Sequence, residues 1–66
     1  MDINQLKYFI TVTQTLNFSE AARRHGISQP SISHHINELE KQVGAKLFLR
    51  DKHRVTLTAA GQELLP

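Results

Sequence analysis

The 66-residue chain contains no cysteine. That excludes a disulfide framework and any thiolate-held metal, and it suits a reducing compartment. No apolar run approaches the length of a membrane span, and the N-terminus lacks the apolar stretch of a signal peptide. These absences predict a soluble, cytoplasmic chain with no membrane partner. Neither an internal repeat nor a low-complexity segment is present. Charge of one sign is also scarce, with a net charge of only +2. At this length there is room for one domain and one modest core.

Charge is unevenly placed. Arg50, Lys52 and Arg54, with His53 among them, form a basic cluster broken only by Asp51. Such a cluster suits a polyanion, although charged loops are more often simply solvated.

Glycine is rare, at three residues, and two of them fall where helices should stop. Gly26 follows a short helical stretch, because only glycine enters the left-handed conformation at a helix end without steric cost. Ser28 is then an N-cap, and Pro30 sits in the first turn of the next helix, where its missing N–H removes no bond. Ile32 and Ile36 share one face of that helix. The stretch Ala22–Ile36, A-R-R-H-G-I-S-Q-P-S-I-S-H-H-I, therefore predicts helix, glycine turn and helix, the arrangement that pushes a helix into the major groove of DNA. Ala22 is small enough to let the second helix approach.

Around this motif the periodicity predicts four helices. The first covers residues 2–16, capped by Asp2, with Ile3, Leu6, Phe9, Ile10, Thr13 and Leu16 on a broad apolar face. Asn17 marks the break, and Ser19 is placed to cap the second helix. The third runs from about Gln29 to Val43, with Ile32, Ile36, Leu39 and Val43 as its buried stripe. Its opposite face carries Pro30, Ser33, His34, Asn37 and Lys41, and Gly44 ends it. The N-terminal half of that face holds no acid, so its free N–H groups and dipole favour phosphate. Leu47–Leu49 and Val55–Leu57, separated by the turn Asp51–His53, predict a two-stranded hairpin with basic residues at its tip. Thr58 caps a fourth helix, Ala59 to about Leu65. The expected core is Phe9, Ile10, Ala22, Ile32, Ile36, Leu39 and Leu47.

The combined motifs resemble the N-terminal DNA-binding region of LysR-type transcriptional regulators. They are L-K-Y-F-I at Leu6–Ile10, F-S-E-A-A at Phe18–Ala22, S-Q-P-S-I-S at Ser28–Ser33, L-E at Leu39–Glu40, G-A-K-L-F at Gly44–Phe48, Arg50, and L-T-x-A-G at Leu57–Gly61. The resemblance covers the whole chain. It implies a mainly α winged helix-turn-helix over residues 1–57, and over residues 58–66 the start of a linker helix that dimerises. By the same resemblance the third helix reads the major groove, and the wing at about 47–57 lies on the backbone or in the neighbouring minor groove. The residues implied to face DNA are Ser28, Gln29, Pro30, Ser31, Ser33, His34 and Asn37 from the helix, and Arg50, Lys52, His53 and Arg54 from the wing. Where the family usually has Arg, this chain has His34, and the wing has His53 at another common Arg position. The family's full-length members are dimers or tetramers with a C-terminal effector-binding domain. These 66 residues are thus expected to be an excised domain that needs no cofactor and is monomeric or weakly dimeric.

Two other classes fit less well. A winged helix used for protein contact would show an apolar outer face on the third helix, which Pro30, Ser33, His34 and Asn37 do not supply. An enzyme would need a nucleophile beside a base and a chain long enough to enclose a pocket. His34 and His35 do not suggest a metal site, because adjacent helical residues diverge by about 100°.

Overall fold

The computed structural model describes all 66 residues. Helices α1 (Ile3–Thr15), α2 (Phe18–His25) and α3 (Gln29–Val43) are followed by strands β1 (Phe48–Arg50) and β2 (Val55–Leu57), and by helix α4 (Ala59–Leu64). The strands form one antiparallel pair with Phe48 opposite Leu57, Leu49 opposite Thr56 and Arg50 opposite Val55. This is a three-helix bundle with a short wing.

Each helix begins and ends for a local reason. Asp2 and Gln5 form a capping box: Asp2 Oδ1 accepts from the Gln5 N–H at 2.8 Å, and Gln5 Oε1 accepts from the Asp2 N–H at 3.3 Å. The α1 C-cap is Leu16, held in the left-handed region at φ 49°. Gly26 and Gly44 hold the same region at φ 67° and 81° and end α2 and α3. The expected cap at Ser19 is corrected to Asn17, whose Oδ1 accepts from the Glu20 N–H at 2.9 Å. Asparagine caps as well as serine. Starting the helix one residue after Asn17 also lets Phe18 enter the core from the first turn.

The buried core is Phe9, Val12, Phe18, Ala21, Ala22, Ile32, Ile36, Leu39, Leu47 and Phe48. Six of the seven expected residues are in it, and Ile10 is only partly buried against it. Ile3, Leu16 and Val43, at or next to helix ends, are exposed. Phe9, Phe48 and Phe18 form a run of rings, with centroids 5.6 Å and then 5.7 Å apart, that leads from the bundle interior to the wing. On another side, Tyr8 of α1 lies 4.8 Å from His25 of α2 and 5.0 Å from His35 of α3, ring to ring. One side chain therefore touches both helices of the helix-turn-helix.

The wing is fastened at its base. Glu40 is buried, and its Oε2 accepts from the N–H groups of Leu47 at 2.8 Å and Phe48 at 3.3 Å. Thr58 closes the other side, donating its hydroxyl to the Lys46 carbonyl at 2.6 Å and its N–H to the Leu47 carbonyl at 3.0 Å. Behind it Gly61 is buried so tightly that a Cβ would stand 2.5 Å from the Leu47 carbonyl oxygen. Only glycine lets α4 lie this close to the wing.

Candidate nucleic-acid interface

The helix-turn-helix geometry starts at the glycine turn. Gly26 and Ile27 donate to the last carbonyls of α2, with Ile27 N–H on the Ala22 oxygen at 3.0 Å. Ser28 then caps α3, its Oγ accepting from the Ser31 N–H at 3.2 Å. Pro30 lies in the first turn, where no N–H is required. That turn holds no acidic residue, so the positive end of the helix dipole faces outward unneutralised.

From there α3 presents a polar face. Ser28, Gln29, Pro30, His34 and Asn37 are exposed, and Ser31 and Ser33 are half-buried. Gln29 Nε2 donates to Ser33 Oγ at 2.7 Å, one helical turn on. Arg50 comes to the same place from the wing. Its Nη1 donates to Ser33 Oγ at 3.3 Å and its Nη2 to Asn37 Oδ1 at 3.4 Å. The guanidinium carbon stands 3.8 Å above the centre of the Phe18 ring, a cation–π contact worth about 0.5–1 kcal/mol at an exposed site.

The remaining wing residues form a second group. Asp51 Oδ1 accepts from the N–H groups of His53 at 2.8 Å and Arg54 at 2.9 Å. Its carboxylate is thereby turned into the loop backbone. Lys52 and Arg54 make no ion pair, whereas Arg23 and Arg24 pair with Glu20 at 3.1 and 3.8 Å and Lys41 pairs with Glu38 at 3.4 Å. The wing tip therefore carries exposed, unpaired cations. It borders an open groove shared with Asn17 and Ser19 at the start of α2.

Of the residues singled out from the sequence, Gln29, Ser33, Asn37 and Arg50 are joined in one hydrogen-bonded group. Lys52, His53 and Arg54 stand apart at the tip, and Ser28 is engaged as a cap. Sequence reasoning grouped Arg50 with the tip cations and missed its turn back onto α3. The signal was present: residues i and i+2 of a strand share a face, so Arg50 must point the way Phe48 points, toward the body of the domain.

A family model for the bacterial regulatory helix-turn-helix proteins of the lysR family matches residues 3–62. The chain belongs to this family. It is 52% identical over 66 residues to the HTH-type transcriptional regulator IlvR of Caulobacter vibrioides, covering all of this chain and 22% of that protein. Among solved structures it is similar to the CbnR_DBD–DNA complex, with a TM-score of 0.91 and 41% identity, over 96% of this chain and 72% of that one. The BenM_DBD/catB site 1 DNA complex gives a TM-score of 0.90 at 33% identity, over 96% of this chain and 71% of that one. The chain spans about a fifth of the length of the curated regulators it matches. In this LysR-family chain the elements of the winged helix-turn-helix stand in the order that its sequence motifs imply.

Proposed function

We propose that this chain binds double-stranded DNA sequence-specifically, as the DNA-binding domain of a transcriptional regulator. The α3 helix enters the major groove, and the wing follows the backbone or the adjacent minor groove. One observation carries the reading most: an acid-free polar face on the first two turns of α3 is coupled through Arg50 to a wing whose tip cations have no carboxylate partner. The DNA complexes of the CbnR and BenM DNA-binding domains support it. Ser28, Gln29, Pro30, Ser31, Ser33, His34 and Asn37 are the proposed groove-facing set. Lys52, His53 and Arg54 supply backbone affinity. The proposed action is binding, without a catalytic step and without a cofactor. In the whole protein a small-molecule effector acts through a C-terminal domain, and linker helices beginning at α4 join the protomers as a dimer or tetramer. The setting is the cytoplasm; no helix here is long and apolar enough to cross a membrane. We expect the chain alone to be monomeric or weakly dimeric.

A salt titration with selected and scrambled duplexes tests this. Phosphate contacts release counterions, so log affinity should fall linearly with log salt. Gln29→Ala should relax preference at one base position. Arg54→Ala should weaken all duplexes alike and lower the slope by about 1. Binding with no salt dependence, or Arg54→Ala relaxing base preference at an unchanged slope, would refute the assignment.

His34 is exposed on the same face, so a permanent cation there should add a phosphate contact. His34→Arg is expected to tighten binding at pH 8. Unchanged affinity in His34→Arg would show that this position faces no phosphate.

A further inference from the structure

We propose that Arg50 is a positioning residue that sets the hydrogen-bond polarity of the α3 face, turning Ser33 and Asn37 outward as donors toward acceptor-only groups on DNA. This rests on the DNA-binding reading above. A serine hydroxyl and an asparagine amide can each donate or accept, so neither by itself specifies what it pairs with. Here Ser33 is committed and Asn37 is oriented. Ser33 Oγ accepts from Gln29 Nε2 at 2.7 Å and from Arg50 Nη1 at 3.3 Å. Both its lone pairs are used, and its one hydrogen is left for a ligand. A guanidinium has five donors and no acceptor, so the Asn37 group facing Arg50 Nη2 at 3.4 Å must be the amide oxygen. The two Nδ2 hydrogens then point away from the wing.

Arg50 can impose this because it is itself fixed. It lies in β1, on the inward face it shares with Phe48, and its guanidinium is stacked on the Phe18 ring. The planar fork delivers two donors to two residues a helical turn apart, which a lysine ammonium does not reproduce.

The consequence is a choice of target. Asparagine usually reads adenine with both amide groups, the oxygen accepting from N6 and the nitrogen donating to N7. Oδ1 keeps a second lone pair, but Arg50 turns it toward the wing and leaves Nδ2 outward, so Asn37 favours an acceptor over that pair. Guanine N7 and O6 are both acceptors, as are phosphate oxygens, and both suit a face whose outward groups donate.

The test selects bound duplexes from a random library with the wild-type chain, Arg50→Met, Arg50→Lys, Asn37→Ala and the Arg50→Met/Asn37→Ala double variant. Salt titrations accompany each, and thermal melts confirm folding. Methionine keeps an apolar stem over Phe18 and removes the donors; lysine keeps the charge and loses the fork. If the acceptor is a base, the wild type enriches guanine at the position read by Asn37. Arg50→Met and Arg50→Lys should then both lose about tenfold of that discrimination and admit adenine, with the lysine variant keeping the wild-type salt slope. If the acceptor is phosphate, base preferences stay as in the wild type, both Arg50 variants bind all duplexes more weakly, and the double variant is no weaker than Arg50→Met. The positioning role is overturned if Arg50→Lys matches the wild type in affinity and preference, or if the Arg50→Met and Asn37→Ala losses add fully. Failure of the wild type to bind any duplex in a salt-dependent way would instead sink the DNA-binding reading itself.

Discussion

Ile36→Ala is expected to lower the unfolding free energy by about 2–5 kcal/mol. Ile36 is completely buried, on the face of α3 opposite the exposed residues of the candidate interface. Truncation removes three carbons from a close-packed site whose neighbours, the core side chains of α1 and α2, are fixed by their own helices and relax little. A 66-residue domain has roughly 3–10 kcal/mol of stability, at about 0.05–0.15 kcal/mol per residue. One substitution therefore reaches a large share of the total. Urea denaturation of the wild type and the variant gives the difference directly. Ile36→Val, which removes one carbon, should cost about 0.5–1.5 kcal/mol. An unchanged midpoint for Ile36→Ala would mean that α3 does not pack through this face.

The second large effect is expected at Glu40. Its carboxylate is the acceptor for two adjacent backbone N–H groups at the start of the wing, those of Leu47 and Phe48. Both residues are buried, so in Glu40→Ala these donors lose their partner with no ready access to water. Leaving a buried donor unsatisfied costs about 1–3 kcal/mol, and two donors share this acceptor. The Lys46 ammonium, 3.8 Å away and well exposed, adds little, as surface pairs do. Glu40→Gln keeps an acceptor oxygen and should fall between the wild type and Glu40→Ala. Hydrogen exchange separates this from general destabilisation. The Leu47 and Phe48 amides should exchange faster in Glu40→Ala than the amides in the middle of α1. Equal stability of Glu40→Ala and wild type would show that the wing is not anchored there. The wing positions Arg50, so a loosened anchor should also weaken the link between Arg50 and α3.

Much of this molecule was legible in its sequence because the signals were local. Gly26, Ser28 and Pro30 fix the end of one helix and the start of the next through backbone preferences acting over a few residues. The 3.6-residue spacing of Ile32, Ile36 and Leu39 identifies the buried stripe of α3. Alternation around Asp51–His53 marks the hairpin. The placement of the polar residues on the outer face of α3 follows from the same periodicity.

What the sequence left open depends on contacts between distant residues. Val43 continues the α3 stripe in sequence but is exposed, since periodicity names a face and burial needs a partner element over it. Glu40 reads as a surface charge until the chain returns at Leu47 and Phe48 to supply donors seven and eight residues away. Phe18 and Phe48 become core only because α2 and the wing meet over Phe9. Arg50 shows the division most clearly. Composition made it one of a cluster of cations, and its local sequence put it on a strand. Only the packing of that strand against α2 and α3 set its guanidinium over Phe18 and within reach of Ser33 and Asn37. Short-range backbone preferences thus determined the elements and their exposed faces. Tertiary structure decided which polar groups are paired with one another, because hydrogen bonds act only over about 3 Å and sequence separation does not reveal that distance.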